Sequence, residues 1–285
     1  MAREENSSSQ KEISEGNRFA FGENWARFLE LLSEERILKA QQSLKRLLGV
    51  ESLQGKRFLD AGSGSGLFSL AARRLGARVH SFDYDESSVA CTRELKRRYF
   101  DGDPDWTVES GSVLDEEYLA GLGEWDVVYS WGVLHHTGNM VQALENVSRL
   151  VLEGGQLFIS IYKDQGGPSR YWLKVKKAYN WLPGQLKWLV LGPATLRLWG
   201  PATLRDLIAG QPFRTWRDYP ESSERGMDAW RDVVDWVGGL PYEVATPEQM
   251  FHFFRDRGFQ LEEIRTRPGG HGCNEYVFFK KRGSR

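Results

Sequence analysis

Between residues 57 and 162 the chain alternates short apolar runs with amphipathic stretches. The runs at 57–61, 78–82, 106–109, 125–130 and 156–162 predict five strands, and the fourth is apolar enough to be buried on both faces. Helical spacing of apolar residues predicts helices at 67–75, 86–99 and 141–152, with a turn at Glu153-Gly154-Gly155 before the fifth strand. Strands and helices in strict alternation imply βαβ units, a parallel sheet and right-handed crossovers. Upstream, Trp25, Phe28, Leu29, Leu32, Ile37, Leu44 and Leu48 recur at near-helical spacing from 23 to 50, with a break expected near Ser33. Downstream, Thr246-Pro247-Glu248 predicts a helix start, with Thr as N-cap and Pro in the first turn, and Gly258 predicts its stop. Residues 259–266 and 274–280 then predict a hairpin-like pair of strands.

Residues 164–245 break this rhythm and hold seven of the eleven tryptophans. They contain a short tandem repeat, Gly192-Pro193-Ala194-Thr195-Leu196-Arg197 and Gly200-Pro201-Ala202-Thr203-Leu204-Arg205, too short for a solenoid and expected to make two similar helix starts. The expected organisation is a disordered tail at 1–18, a core at 19–163 and 246–285, and a helical cap insertion at 164–245.

Composition narrows the class. Hydrophobic residues at 40% and charged residues at 27% predict a soluble globular chain. A formal net charge of −1 gives the whole molecule no pull toward nucleic acid or an acidic membrane, so any such attraction must be local. Two cysteines, Cys91 and Cys273, suit neither a disulfide framework nor a metal cluster, so no metal site is expected and both are taken as thiols of a cytoplasmic protein. The polar N-terminus predicts no secretory signal, and no apolar run is long enough to span a bilayer.

The strongest chemical signal is Asp60-Ala61-Gly62-Ser63-Gly64-Ser65-Gly66 at a strand-to-helix junction. Glycines there permit a tight turn and close approach of a ligand beyond the carboxyl ends of the strands. Seventeen residues after Gly66, Asp83 ends the second strand, where a carboxylate can accept from both hydroxyls of a ribose; its other reading is a cap for the following helix. Dinucleotide binders carry GxGxxG, whereas here the third such position is Leu67. Asp60 would repel a pyrophosphate and suits a cationic amino-acid end, such as the ammonium and sulfonium of S-adenosylmethionine.

At these residues the chain resembles the class I S-adenosylmethionine-dependent methyltransferases. The matching pieces run in order: 58–66, Val79-His80-Ser81-Phe82-Asp83, Gly111-Ser112-Val113-Leu114-Asp115, and Asp126 through His136. Val133-Leu134-His135-His136 is similar to the branch holding the ubiquinone-biosynthesis O-methyltransferases. The resemblance implies an α/β, Rossmann-like, doubly wound seven-stranded sheet, mostly parallel with an antiparallel last strand. It implies that Asp60, Gly62, Ser63, Gly64 and Gly66 hold the methionine end, that Asp83 holds the ribose, and that Tyr84 lies beside the adenine. Ser112 and Val113 stand where the family contacts the adenine edge. Many members carry Asp at the position of Ser112, and with serine there the Val113 amide can still serve adenine N1. Ser130 and Trp131 are implied to line the methyl end of the cofactor.

His135 and His136 sit at the mouth of this site, where a histidine can act as general base on a hydroxyl; the other reading is a pair satisfied by backbone groups. Residues 19–25, from Phe19 to Trp25, could fold over the cofactor as a lid or simply pack a helix on the sheet. Residues 170–205 hold Arg170, Lys174, Lys176, Lys177, Lys187, Arg197 and Arg205, no acid, and several aromatics. This favours, in order, a lid over a small acceptor such as a quinol, phenol or glycolipid, a peripheral membrane contact, and a nucleic-acid surface, the last not expected. Arg225 to Asp232 reads as helix-surface ion pairing. The expected function is methyl transfer to a small or lipid-like acceptor at oxygen. The alternatives are an RNA methyltransferase, a binding domain without catalysis, and an NAD-dependent oxidoreductase, the last opposed by Asp60 and Leu67.

Overall fold

A computed structural model describes residues 11–12, 15, 18–19, 29, 32–222, 229–266 and 271–283. Seven strands form one sheet: β1 Arg57–Ala61, β2 Arg78–Asp83, β3 Trp106–Ser110, β4 Trp125–Trp131, β5 Val151–Tyr162, β6 Phe259–Arg265 and β7 Cys273–Lys280. Their order is β3-β2-β1-β4-β5-β7-β6. β1 to β5 pair in parallel, and β7 runs antiparallel between β5 and β6. The last two strands therefore do pair, but β7 inserts next to β5 and leaves β6 at the edge.

Side chains alternate across the strands and give each face its own core. Phe58, Val79, Trp106, Val127 and Phe158 meet the helices α1 Glu34–Leu48, α2 Leu67–Arg74 and α3 Glu86–Tyr99. Leu59, Val128, Leu157, Ile159 and Phe278 meet α4 Glu116–Leu122, α5 Met140–Arg149 and α10 Pro247–Arg255. Helices on both faces of a mostly parallel sheet make the doubly wound α/β architecture.

Local chemistry sets the boundaries. The break expected near Ser33 is the start of α1, where the Ser33 hydroxyl accepts from the Arg36 amide at 3.4 Å. The upstream part of that expected helix, with Trp25 and Phe28, lies outside the described residues, as do most of the tail and Arg225 to Asp228. Thr246 and Gln249 form a reciprocal capping box at α10. Two expectations fail. Glu153-Gly154-Gly155 is not a turn: β5 already starts at Val151, and α5 stops at Arg149. The two glycines form an irregularity within the strand, because a Cβ on Gly155 would stand 2.8 Å from the Asp126 carbonyl oxygen. The tandem repeat does not start two helices; both copies lie inside one.

That helix belongs to the region joining β5 to α10, which holds α6 Gly167–Trp181, α7 Trp188–Ile208, α8 Arg214–Ser222 and α9 Ala229–Gly238. Trp172, Tyr179, Leu191, Ala194, Val233 and Val237 form a third core of its own. The two ends of the region meet: Lys163 and Ala245 form a parallel bridge, the Asp164 amide donates to Ala245 at 3.0 Å, and the Ala245 amide donates to Tyr162 at 3.0 Å.

Candidate active site

The carboxyl ends of the central strands open into a cavity of about 680 Å3. Its floor is the loop after β1. Gly62 adopts φ of +88°, and a Cβ there would lie 2.4 Å from the Val133 side chain, so no other residue fits without moving it. The Gly62 and Ser63 amides donate to the Phe82 carbonyl at 2.9 and 3.0 Å, which ties the loop to the end of β2. The Ser63 and Thr92 hydroxyls, 3.0 Å apart, tie it to α3.

Asp60 is buried at the head of this loop. Its Oδ2 accepts from the Ser69 hydroxyl at 2.5 Å, Ser69 accepts from Ser81 at 2.7 Å, and Ser81 accepts from the Trp106 indole at 2.9 Å. The chain of donors fixes the carboxyl on the cavity wall. Burial pushes Asp60 up to about 7, against the lowering effect of Ser69. Asp83 accepts from the Gly64 amide at 2.8 Å and the Asp85 amide at 2.9 Å, and burial raises it to about 6. The helix-cap reading of Asp83 is settled by Asp85, which caps α3 by accepting from Ser87.

The other expected residues divide. Tyr84, Ser112 and Val113 line the cavity. Arg18 stacks 4.7 Å over the Tyr84 ring, and Asn146 donates to the Val113 carbonyl at 2.9 Å. Trp131 lines it too, with its indole donating to Glu275 at 2.9 Å. Ser130 does not. It is fully buried and donates to the Ala61 carbonyl at 2.8 Å, because the strand's alternation turns it to the face opposite Tyr129 and Trp131. Gly66 stands back from the wall at the start of α2, its space filled by Thr92. Of the expected lid only Phe19 is described; it lines the cavity and packs on Gly238 of α9, and residues 20–25 lie outside the described residues.

His135 and His136 form a single 3-10 turn after β4. His136 Nδ1 donates to the Pro241 carbonyl at 2.5 Å. That bond leaves the lone pair of the neutral ring on Nε2. His135 is fully buried, its ring centre 4.0 Å from that of Tyr162.

Several lining residues escaped the sequence reading. Tyr162 ends β5 and could have been found from the rule that ligands sit beyond strand carboxyl ends. Trp199 and Trp236 come from α7 and α9, where only the general richness in tryptophan announced them, and Tyr219 comes from α8 with no signal of its own. Behind Trp236 lies Lys176, fully buried, its ammonium donating to the Trp236 carbonyl among the rings of Trp236, Tyr242 and Tyr162; burial lowers it to about 7.

The charge of the cavity wall is one-sided. Asp60, Asp83, Asp85, Asp232, Asp235 and Glu275 face it, against Arg18 as the one lysine or arginine among the described lining residues. Such a wall suits a ligand carrying positive charge and opposes a pyrophosphate. This set of carboxyl groups therefore fits S-adenosylmethionine and not a dinucleotide.

A methyltransferase-domain family model matches residues 32–263. The chain belongs to that family. S-adenosylmethionine is the methyl donor of such enzymes. The chain is 31% identical over 157 residues to a tRNA U34 carboxymethyltransferase of Methylococcus capsulatus, covering 54% of this chain and 46% of that protein. It is 30% identical over 115 residues to a ubiquinone biosynthesis O-methyltransferase of Pseudomonas aeruginosa, covering 38% and 45%. The chain thus spans about half the length of the curated relatives it matches. Magnesium protoporphyrin IX methyltransferase from Synechocystis, solved with bound SAH, shares the fold at TM-score 0.52 and 14% identity, over 86% of this chain and 83% of that one. Among the described residues, no helix is long and apolar enough to cross a membrane.

Proposed function

We propose that this protein transfers the methyl group of S-adenosylmethionine to an oxygen of a small acceptor of the quinol, phenol or glycolipid class. The observation that carries the reading is one continuous cavity, which runs from Asp60 and the glycine loop to an aromatic wall of Trp199, Tyr219 and Trp236. Its volume of about 680 Å3 lies in the range of small-molecule sites. The region 164–245 then acts as a cap that walls the acceptor end.

S-adenosylmethionine supplies a methyl carbon already activated by a positive sulfur, so the protein has mainly to position, dry and deprotonate. In this reading Asp60 meets the ammonium, Asp83 accepts from the ribose hydroxyls, and the Val113 amide faces the adenine edge, with the carbonyl of the same residue accepting from Asn146. Tyr129 and Trp131 keep water from the transfer site. His136, with Nδ1 committed to Pro241, takes the acceptor's proton at Nε2. His135, which lines the same cavity, packs its ring against Tyr162 and positions that side chain.

The similarity to a tRNA-modifying enzyme favours a second reading, an RNA acceptor. The acid-rich cavity opposes it, since every nucleotide of an RNA brings a phosphate. A methyl-transfer screen with labelled cofactor against quinols, phenols, glycolipids and tRNA separates the two. Label in a small organic acceptor is the expected result; label in tRNA alone overturns the proposal, and label in none of them favours a binding domain. With the acceptor in hand, His136→Ala and His136→Gln should each lower turnover about a hundredfold. An unchanged rate and pH profile in both would return His136 to a structural role.

A further inference from the structure

The cations of residues 170–205 do not face the cavity: none of the seven is on its wall. Their placement follows a different logic. Arg170, Lys174, Lys177 and Trp181 repeat at i, i+4, i+7 and i+11 along α6, and all four are exposed. At helical spacing these positions share one face, a cationic stripe that ends in a tryptophan 84% exposed. After the connecting turn, with Leu186 also exposed, α7 opens on Trp188 at 65% exposure. Leu189, Pro193, Leu196, Gly200, Leu204 and Leu207 then follow at i, i+4, i+7, i+11, i+15 and i+18. The four leucines among them are exposed by 47% to 73%. Apart from half-buried Gly200, this face of a 21-residue helix is thus apolar and turned to solvent, with Ile208 exposed beyond it. Arg197 and Arg205 are the exposed charges of α7, and no acid occurs from 165 to 205.

A soluble face of this size and composition wants a partner. Three features select its chemistry. The apolar residues are mainly leucine, which partitions into acyl chains and does not stack on bases. The tryptophans sit at the junction of the apolar and cationic stripes, where an amphipathic ring suits a headgroup boundary. The surplus charge is wholly positive, complementary to anionic headgroups. We propose that α6 and α7 form a peripheral membrane-binding face, in which the leucine stripe of α7 enters the headgroup boundary of an anionic bilayer and the stripe of α6 meets the lipid charges. The helix lies on the surface and does not cross it. This inference does not depend on which acceptor is methylated, since no residue of the face belongs to the catalytic cavity.

The test is sedimentation of the full chain with phosphatidylcholine vesicles containing about a third phosphatidylglycerol, an anionic fraction of the kind that draws polybasic surfaces. The wild-type chain should co-sediment at low salt and release as salt rises. Leu196→Glu with Leu204→Glu should lower the partition at least about tenfold, while cofactor affinity and the thermal midpoint stay as in wild type. Neutralising Arg170, Lys174 and Lys177 to Gln should weaken binding to the anionic vesicles about fivefold per cation and leave the weak binding to pure phosphatidylcholine unchanged. Absence of wild-type sedimentation, or equal sedimentation by the double leucine variant, overturns the proposal. So does a dimer in sedimentation velocity that Leu196→Glu dissolves, since the face would then join two copies. Tight binding to RNA with none to vesicles overturns it as well. Because cofactor binding is measured separately, failure here and failure of the methyl-transfer reading are distinguishable.

Discussion

Asp60 and Asp83 hold their protons to high pH because burial penalises their charged forms more than their hydrogen bonds help them. A ligand ammonium beside Asp60 reverses that balance, so binding must release a proton wherever the empty site still holds one. Affinity for S-adenosylmethionine should therefore climb about tenfold per pH unit below about 7. It should level near neutrality and fall again above about 8, where the ligand's own amine loses its proton. Calorimetry in buffers of different ionisation enthalpy measures both the climb and the proton released, and Asp60→Asn should flatten the climb. Equal affinity at pH 5.5 and 7 would show that Asp60 does not meet the ammonium. The sign is opposite for the empty fold. Between 3.8 and about 7 for Asp60, and 3.8 and about 6 for Asp83, the native state holds protons that the unfolded chain has released. Their contribution to stability declines as pH rises through those windows, and cofactor binding offsets the decline. The donors from Trp106 through Ser81 and Ser69 were invisible in the sequence, because they come from three elements that meet only in the folded sheet. The glycine loop and Asp83 were legible because their spacing is local.

At the scale of elements, legibility follows the same divide. The strands and helices of the core were readable where burial is periodic, and α3 begins and ends where its pattern does. The short α4 was missed because seven residues hold too few turns for a pattern, and only Asp115 as its cap marks it. The strand β5 was read short because Glu153-Gly154-Gly155 has turn chemistry, yet its pairing with β4 resumes across those glycines. In α7 tertiary contacts override local preference. Pro193 and Pro201 both lie inside the helix, where each lacks the amide proton that would reach back four residues. The helix persists because Leu191, Ala194, Leu198 and Trp199 pack into the third core. An interior proline costs a helix about 3 kcal/mol relative to alanine, while its stiffening of the unfolded chain offsets up to about 1 kcal/mol. Pro201 is exposed, so Pro201→Ala removes no core contact. It should raise the unfolding free energy by about 2 kcal/mol, read from the denaturant midpoint at constant slope. A loss of stability would show that the proline ring itself is packed into the native structure.

At the scale of the molecule, the chain divides into a sheet with cores on both faces and a helical region with a core of its own. The ends of that region are already joined: residues 162 to 164 lie against Ala245 through two backbone hydrogen bonds of 3.0 Å. A short linker from 165 to 244 would therefore close a gap that the native backbone has closed, with little loop entropy to overcome. The remaining chain keeps Asp60, Asp83, Val113 and His136, together with the strands that place them. It loses Trp199, Tyr219 and Trp236, which wall the other end of the cavity. It also loses Pro241, the acceptor that orients His136, so loss of turnover alone would not separate a missing wall from a misoriented base. Joining 165 to 239 instead retains Leu240 to Ala245 and keeps that hydrogen bond. The second version should bind S-adenosylmethionine within about tenfold of the whole protein, since the carboxylates and the glycine loop are untouched, and should transfer no methyl group to the acceptor. Isothermal calorimetry and a labelled-methyl assay on the same preparation read the two outcomes. Undiminished transfer by the shortened chain would remove the helical region from acceptor binding and leave the lipid-facing surface as its function.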